Sequence, residues 1–423
     1  MKYRAVRPLT LFAFAVVTAC AEDTTAPNAD VTLTPAESMT QATESLPPSG
    51  PWARIIEGET GPGSHYALFI PHDWNGDAIS YAHGFRDGGT PIDLRDQDSF
   101  YAARDQLGAA GYAIAYSSFS ANGFVVKDGA QRTHQLRGLL AARLGSKPAR
   151  TFAMGHSLGG GIVLDLVQKF PDQYDGALML CGMVGGSKLQ TQYLGDVRAL
   201  ADVYFPGAFA GNAIGVPVGT VVTLGQVVGA VQSNPAGLFA IASMKQTPLP
   251  YVPVGSPLSS SSTAFQTLVG SLFGAVSFHA RGINNVVELV HGASPYGNVG
   301  TTYELGATPL LPPAALAPAV AAANAYVTRY TLDNSASNYL DKYYTSTGAL
   351  AVPVLTVHNT WDPAVPLFHE AALRAQVEAA GASSMLLQRQ VPAYGHCAIP
   401  ASTVVSAFND LAGWASTGVR PNN

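Results

Sequence analysis

The sequence has 423 residues, of which 47% are hydrophobic and 12% are charged. A chain of this composition can bury a large core, which excludes a disordered protein and allows either one large α/β domain with an insertion or two ordinary domains. Its 23 Lys and Arg residues are outnumbered by 28 Asp and Glu residues, and no basic run follows the first few positions, so the charge pattern excludes a nucleic-acid-binding protein.

The N-terminal residues have the pattern of a secretory signal. Lys2, Arg4 and Arg7 precede an apolar stretch at residues 9–19 that is too short to span a bilayer. The stretch closes in V-T-A-C, which resembles the lipobox of bacterial lipoproteins, and the resemblance implies a signal peptide at 1–19 and lipidation of Cys20. An ordinary secretory signal with the same cleavage site is the alternative. Both interpretations predict export, either as a cell-envelope lipoprotein or as a secreted protein.

A flexible tether is predicted after the signal. Residues 20–50 are rich in Thr, Ala, Glu, Ser and Pro and show little apolar periodicity. Such a segment would hold a folded domain away from the membrane, which the protein would contact only through its lipid anchor. We expect the folded part to begin near Trp52 and its first portion to cover residues 51–187.

Strand and helix patterns alternate after the tether. Apolar runs of strand length are separated by amphipathic stretches with Leu, Val and Ala at helical spacing. The apolar runs lie at residues 65–70, 77–82, 112–117, 150–154 and 176–181, and the helical stretches at 99–109, 128–144 and 158–170. Further strands at 352–357 and 385–390 flank a helix at 368–379. The alternation predicts a mostly parallel, doubly wound α/β sheet that residues 348–423 complete.

The alternation is interrupted at residues 188–347. This segment is too long for a loop, and it contains helical patterns at 278–290 and 313–330 as well as a Ser-rich run at 256–262. We therefore predict a large, mostly helical cap, inserted after the strand that ends near Cys181 and before the next one, between strands 6 and 7 of the core.

A motif of the form G-x-S-x-G lies where a strand turns into a helix. Residues 155–159 read G-H-S-L-G, after the strand that ends at Met154 and before an amphipathic helix. This is the context of a nucleophile elbow, in which flanking glycines let the turn tighten until the serine, here Ser157, projects from the sheet edge. The alternative is that Ser157 is an ordinary helix N-cap.

A serine nucleophile needs a histidine base and a carboxylate that fixes the tautomer of that base. Asp362 follows a late strand, in the letters D-P-A-V-P, and His396 follows the last strand. Both are therefore expected at the carboxyl edge of the sheet, beside Ser157. Asp341 and Asp410 are alternative acids, but neither follows a core strand.

The order of these three residues, with an acid turn of the form D-x-x-V-P and a G-H pair near the C-terminus, resembles the α/β-hydrolase superfamily. The resemblance extends from Trp52 to the C-terminus outside the cap and implies the α/β-hydrolase fold. It also implies an oxyanion hole made by the backbone N–H groups of Leu158 and Phe85, the latter in an H-G-x element at residues 83–85. A simple glycine turn after a strand is the alternative for that element.

The remaining cysteines and histidines receive simpler interpretations. Cys181 and Cys397 are expected at neighbouring points of the sheet edge, and in an exported protein an even pair predicts a disulfide, with two buried thiols as the alternative. The histidines other than His396, including His156 and His358, are expected to pack or to end strands. No two histidines have metal-ligand spacing, so we predict neither a metal nor another cofactor.

These features predict hydrolysis of a small-molecule carboxylic ester through an acyl-enzyme intermediate. The cap is poor in charge, which favours a substrate with an apolar or aromatic acyl or alcohol group. A serine peptidase of the prolyl-oligopeptidase or tripeptidyl type is one alternative, although no repeated propeller blades precede the core. A non-catalytic surface-binding module on the same fold is the other, although such a module would usually lack a member of the triad.

Overall fold

The computed structural model describes residues 42–422, apart from 48, 62, 97, 254–257 and 260. The predicted signal peptide, Cys20 and most of the predicted tether lie outside these residues, as does part of the Ser-rich run at 256–262. Within the described ranges, no helix is both long enough and apolar enough to cross a membrane.

One mixed sheet organises the described residues. Its strands in chain order are β1 (Thr43–Ser45), β2 (Trp52–Glu59), β3 (His65–Pro71), β4 (Asp77–Ala82), β5 (Ala113–Ser117), β6 (Arg150–His156), β7 (Gly176–Leu180), β8 (Val354–Trp361) and β9 (Leu386–Tyr394). Across the sheet the order is β1-β2-β3-β5-β4-β6-β7-β8-β9. The pairs from β1 to β5 are antiparallel, and every pair from β5 to β9 is parallel. This is the α/β-hydrolase fold that the sequence predicts.

Helices occupy most of the connections between strands. They are α1 (Asp98–Ala109), α2 (Val126–Leu144), α3 (Leu158–Lys169), α4 (Ser187–Tyr204), α5 (Leu224–Ser233), α6 (Pro235–Ser243), α7 (Thr263–Leu289), α8 (Pro313–Tyr326), α9 (Asn334–Tyr344), α10 (Phe368–Ala379) and α11 (Ala401–Thr417). The helices predicted around the sheet agree with α1, α2, α3 and α10 to within two residues at each end.

Apolar side chains pack on both faces of the sheet. One face is covered by α2, α3 and α10, for example by Leu166 and Leu373, and the other by α1 and α11, for example by Phe100 and Phe408. Strands β4, β5 and β7 are buried along their whole length. Burial on both faces explains why these strands appear in the sequence as continuous apolar runs.

The first two strands were not predicted. Thr43 pairs with Glu57 and Ser45 pairs with Ile55, so the folded part begins before Trp52 and includes residues assigned to the tether. Residues 43–45 of the predicted tether thus belong to the sheet, which the sequence pattern did not indicate. The reason is that β1 is exposed and β2 is only partly buried, so neither produces the apolar pattern by which a strand is recognised.

Helices α4 to α9 form the insertion between β7 and β8, the segment predicted as a cap. The insertion has its own apolar core, which includes Leu200, Leu272 and Tyr296. Helix α7 is longer than predicted because it starts at Thr263 rather than at 278. Ser262 is its N-cap, and the hydroxyl accepts a backbone N–H from the first turn at 3.2 Å.

Candidate active site

Ser157 occupies a strained turn between β6 and α3. Its backbone φ is 55° and its ψ is −121°, a region that residues with a Cβ rarely adopt. Gly155 and Gly159 allow the turn, because a Cβ on Gly155 would lie 2.4 Å from the carbonyl oxygen of Gly159, and one on Gly159 would lie 2.1 Å from that of Ala82. In the described part of the chain the Ser157 hydroxyl makes no capping bond, so the geometry favours the elbow over the N-cap interpretation.

Three side chains from separate loops form one hydrogen-bonded row at the carboxyl edge of the sheet. Nε2 of His396 lies 2.7 Å from Oγ of Ser157, and its Nδ1 lies 2.7 Å from Oδ2 of Asp362. Ser157 and His396 are 239 residues apart in the chain, and the ends of parallel strands bring them together. The alternative acids, Asp341 and Asp410, instead pair with basic side chains in partly exposed positions.

Backbone donors hold the carboxylate of Asp362, which is fully buried. The N–H groups of Ala364 and Val365 each donate to Oδ1 at 2.9 Å, which leaves Oδ2 for His396. Burial by itself raises the pKa of Asp362, but the charge and the hydrogen bond of His396 outweigh it and hold the pKa below its ordinary value. An ionised Asp362 accepts Nδ1–H of His396, so Nε2 can accept the hydroxyl proton of Ser157.

The predicted oxyanion donors lie close to Ser157. Leu158 is the first residue of α3, so its N–H has no acceptor within the helix. The loop after β4 approaches the same point, because a Cβ on Gly84 would lie 3.2 Å from Cβ of Ser157, and Phe85 is the next residue. An oxyanion hole requires this placement, and the role of the two N–H groups stays a prediction.

His156 connects the elbow to the loop after β4, which the sequence did not indicate. Its Nε2 accepts the N–H of Gly84 at 3.1 Å, and its Nδ1 lies 2.5 Å from the hydroxyl oxygen of Tyr81. Because a backbone N–H can only donate, Nε2 carries no proton and Nδ1 donates to Tyr81. Burial lowers the pKa of His156, which favours this neutral form. Because His156 directly precedes Ser157 in the sequence, its position was the signal that could have indicated a role at the site.

The structure contains the disulfide predicted between Cys181 and Cys397. Cys181 directly follows β7, and Cys397 directly follows His396, so the bond attaches the loop that carries His396 to the sheet. Sγ of Cys397 lies 3.6 Å from Nε2 of His396. These three side chains are close enough together to resemble a metal site, but both sulfur atoms are used in the disulfide and neither is a thiolate.

A pocket of about 480 Å³ opens beside Ser157. It is lined by His156, Ser157, His396 and Cys397 and by residues of the loop between β4 and α1. The charged residues that this loop contributes are Arg86, Asp93, Arg95 and Asp96. Arg86 is held in place, because it donates to the backbone oxygen of Asp93 at 2.6 Å and to the hydroxyl of Tyr116 at 2.5 Å.

Helix α7 of the insertion contacts the loop after β4. The ring of Phe278 packs edge-to-face on the ring of Phe85, with centroids 5.2 Å apart. Arg281 forms an ion pair with Asp87 at 2.6 Å, and its guanidinium group lies 5.6 Å from the centre of the Phe85 ring. The insertion therefore borders the residue predicted to donate to the oxyanion.

Comparisons with solved structures give matches at low sequence identity. No family model matches the sequence, and no curated protein matches it significantly. Feruloyl esterase B from Aspergillus oryzae is 14% identical, with 87% of this chain and 82% of that chain covered and a TM-score of 0.44. An esterase from the same organism is 13% identical, with coverages of 90% and 86% and a TM-score of 0.45. The rice cell wall degrading esterase LipA from Xanthomonas oryzae is 15% identical, with coverages of 86% and 88% and a TM-score of 0.39.

Proposed function

We propose that this chain is a serine hydrolase that cleaves carboxylic esters. The hydrogen-bonded row of Ser157, His396 and Asp362 carries the proposal. His396 accepts the hydroxyl proton as Oγ of Ser157 attacks the ester carbonyl carbon, and the N–H groups of Phe85 and Leu158 stabilise the oxyanion. When the intermediate collapses, His396 gives the proton to the departing alcohol and the acyl group stays on Oγ.

Water completes the proposed cycle. His396 removes a proton from a water molecule, whose oxygen attacks the acyl carbon, and the same proton returns to Oγ of Ser157 as the carboxylic acid leaves. Asp362 stays ionised in both halves and stabilises the imidazolium form of His396. The cycle requires no cofactor.

The surroundings of the row support a small ester with an apolar or aromatic group on one side of the scissile bond. The packed rings of Phe85 and Phe278 give an apolar wall next to the proposed oxyanion hole. The loop that carries Phe85 also contributes the polar side chains of Arg86 and Asp96 to the pocket, next to which a polar group of the ester could lie. A volume of about 480 Å³ is within the range of small-molecule sites.

We also propose that the protein acts outside the cytoplasm and is anchored through Cys20. The disulfide supports export, because such bonds persist in oxidising compartments. Mass spectrometry of the mature N-terminus tests the anchor. A lipid-modified Cys20 is expected, and an unmodified cysteine at the mature N-terminus would contradict the anchor without affecting the enzymatic proposal.

Labelling of the full chain with a fluorescent fluorophosphonate tests the enzymatic proposal. We expect the wild type to be labelled and to hydrolyse p-nitrophenyl esters. Ser157→Ala is expected to show neither labelling nor hydrolysis. Ser187→Ala is the matched control, because Ser187 is also buried at the start of a helix, and it is expected to label normally.

The other outcomes separate the alternative functions. Labelling of Ser157 without hydrolysis of any ester would contradict the esterase proposal and favour the serine peptidase. A folded wild type that does not label would contradict an active serine nucleophile and favour the binding module. Labelling that survives in Ser157→Ala would contradict the choice of nucleophile.

A further inference from the structure

A buried histidine and glutamate lie directly behind the acid of the row. His358 is on β8 and is fully buried, and Glu370 is on α10 and is 4% exposed. Nδ1 of His358 lies 3.0 Å from Oε1 of Glu370, and Nε2 lies 2.8 Å from the backbone oxygen of Val365. The proposed ester hydrolysis assigns no role to either side chain.

The hydrogen-bond partners of His358 fit a ring with a proton on each nitrogen. The backbone oxygen of Val365 can only accept, so Nε2 donates. Oε2 of Glu370 accepts from the hydroxyl of Thr356 and from the amide of Gln388, both at 2.6 Å, as an ionised carboxylate does. In such a carboxylate Oε1 is also an acceptor, to which Nδ1 donates. The contacts thus match an imidazolium ion paired with a carboxylate.

The charges that act on His358 favour the same state. Burial by itself lowers the pKa of His358, but the hydrogen bond and charge of Glu370, together with the charge of Asp362, outweigh it and raise the pKa above its ordinary value. The neutral titratable side chains around the pair and around Asp362 are His369, Tyr193 and Tyr394. Burial lowers the pKa of His369 to about 3 and raises the pKa values of both tyrosines.

The positive ring of His358 faces the oxygen atom that orients His396. Nε2 of His358 lies 3.9 Å from Oδ2 of Asp362, and this oxygen accepts from Nδ1 of His396 at 2.7 Å. His358 and Asp362 also hold the same residue, because Val365 donates its N–H to Asp362 and accepts from His358 on its carbonyl oxygen. The ring therefore holds the acid turn and places a positive charge next to it.

We propose that His358 is a positioning residue for the acid of the triad. Its protonated ring holds the turn at Val365, and its positive charge weakens the pull of the Asp362 carboxylate on the protonated form of His396. This inference rests on the proposed serine hydrolase function.

The pH dependence of kcat/KM distinguishes this role from a purely structural one. Activity falls on the acid side as His396 becomes protonated, because a protonated base cannot accept the proton of Ser157. Removing the positive charge behind Asp362 makes the imidazolium form of His396 more favourable. His358→Gln is therefore expected to move the acid limb to higher pH by about one unit, which lowers kcat/KM about tenfold below that limb.

Glu370→Gln is expected to shift the acid limb in the same direction by a smaller amount. It removes the hydrogen bond and the charge that outweigh the effect of burial on His358, so the ring loses its proton and its positive charge. The lost positive charge is the nearer one to Asp362, because Nε2 of His358 lies 3.9 Å from Oδ2 while Glu370 bonds to the other ring nitrogen. His358→Gln leaves the negative Glu370 in place and therefore shifts the limb further, and the double variant is expected to match Glu370→Gln.

The experiment measures kcat/KM of the full chain for p-nitrophenyl acetate from about pH 5 to about pH 9. His279→Gln is the matched control, because His279 is also buried but bonds to the backbone oxygen of Ala213 within the insertion. Shifts to higher pH in both single variants, larger in His358→Gln, with none in the control, are expected. An unshifted acid limb in both single variants would overturn the inference even if kcat fell, and so would a shift to lower pH in either variant.

Labelling with the fluorophosphonate separates this inference from the proposed function. A wild type that does not label at Ser157 would remove the basis of both. Variants that label but keep the acid limb of the wild type would refute only the role of His358. If His358→Gln does not fold, the direction of the shift in Glu370→Gln decides alone.

Discussion

Replacing Asp362 with Asn tests whether its carboxylate fixes the tautomer of His396. The carboxylate accepts the N–H groups of Ala364 and Val365 on Oδ1 and the Nδ1–H of His396 on Oδ2. Asn has one side-chain oxygen and one NH2 group, so it cannot accept from all three donors. With its oxygen toward the two backbone groups, its NH2 group faces His396, which must then accept on Nδ1 and carry its proton on Nε2.

A proton on Nε2 prevents His396 from accepting the hydroxyl proton of Ser157, which lies 2.7 Å away. Enforcing the wrong tautomer in a triad of this kind lowers kcat about 10⁴-fold. At about 1.36 kcal/mol for each factor of ten, this is a rise of about 5 kcal/mol in the activation free energy. We expect a loss of this size for Asp362→Asn, with KM changed by less than about threefold because the pocket keeps its shape.

The assay is p-nitrophenyl ester hydrolysis by purified wild type and variants, with circular dichroism to verify folding. Asp341→Asn and Asp410→Asn are matched controls, because both acids were alternatives by position in the chain and both form partly exposed ion pairs in the structure. Each control is expected to keep kcat within about twofold of the wild type. If Asp362→Asn kept more than about a tenth of the activity, the assignment of the acid would be wrong. A large loss in either control would lead to the same conclusion.

Three further changes test the surroundings of the row. Gly84→Ala places a Cβ 2.8 Å from Nε2 of His156 and 3.2 Å from Cβ of Ser157, so kcat should fall at least about tenfold in the ester assay. Gly88→Ala is the control and should leave kcat unchanged, because its Cβ meets nothing within 4 Å. Replacing Cys181 and Cys397 with Ser removes a disulfide between residues 216 apart in the chain, and loop entropy predicts that the free energy of unfolding falls by up to about 5 kcal/mol. An unchanged urea midpoint would contradict a stabilising role of the disulfide. Burial lowers the pKa of His369 to about 3, so below its ordinary value of 6.5 the unfolded chain binds a proton that the folded chain does not. The free energy of unfolding should therefore fall as the pH falls from 6.5 to about 3, and urea titrations of His369→Gln should show a smaller fall.

Local patterns were enough to predict the elements around the elbow. Buried parallel strands such as β4, β6 and β7 are continuous apolar runs, and the glycines around Ser157 leave a recognisable turn between a strand and a helix. The same patterns failed for β1 and β2, which are exposed or half-buried at the edge of the sheet, and for the first half of α7. An element with little burial has a sequence that is not constrained by a core, so its pattern is weak.

The sequence by itself determined the α/β alternation, the positions of Ser157, Asp362 and His396 along it, and the presence of two cysteines that could pair. It did so because strand ends and glycine turns are properties of short segments. Only the tertiary structure decided which atoms meet: the bond from His156 to Gly84, and the buried charge of His358 beside Glu370 behind the acid. A histidine at the end of a strand has the same local sequence whether it packs, donates or carries a charge. Its protonation depends on acceptors that other strands and helices bring to within about 3 Å of its ring.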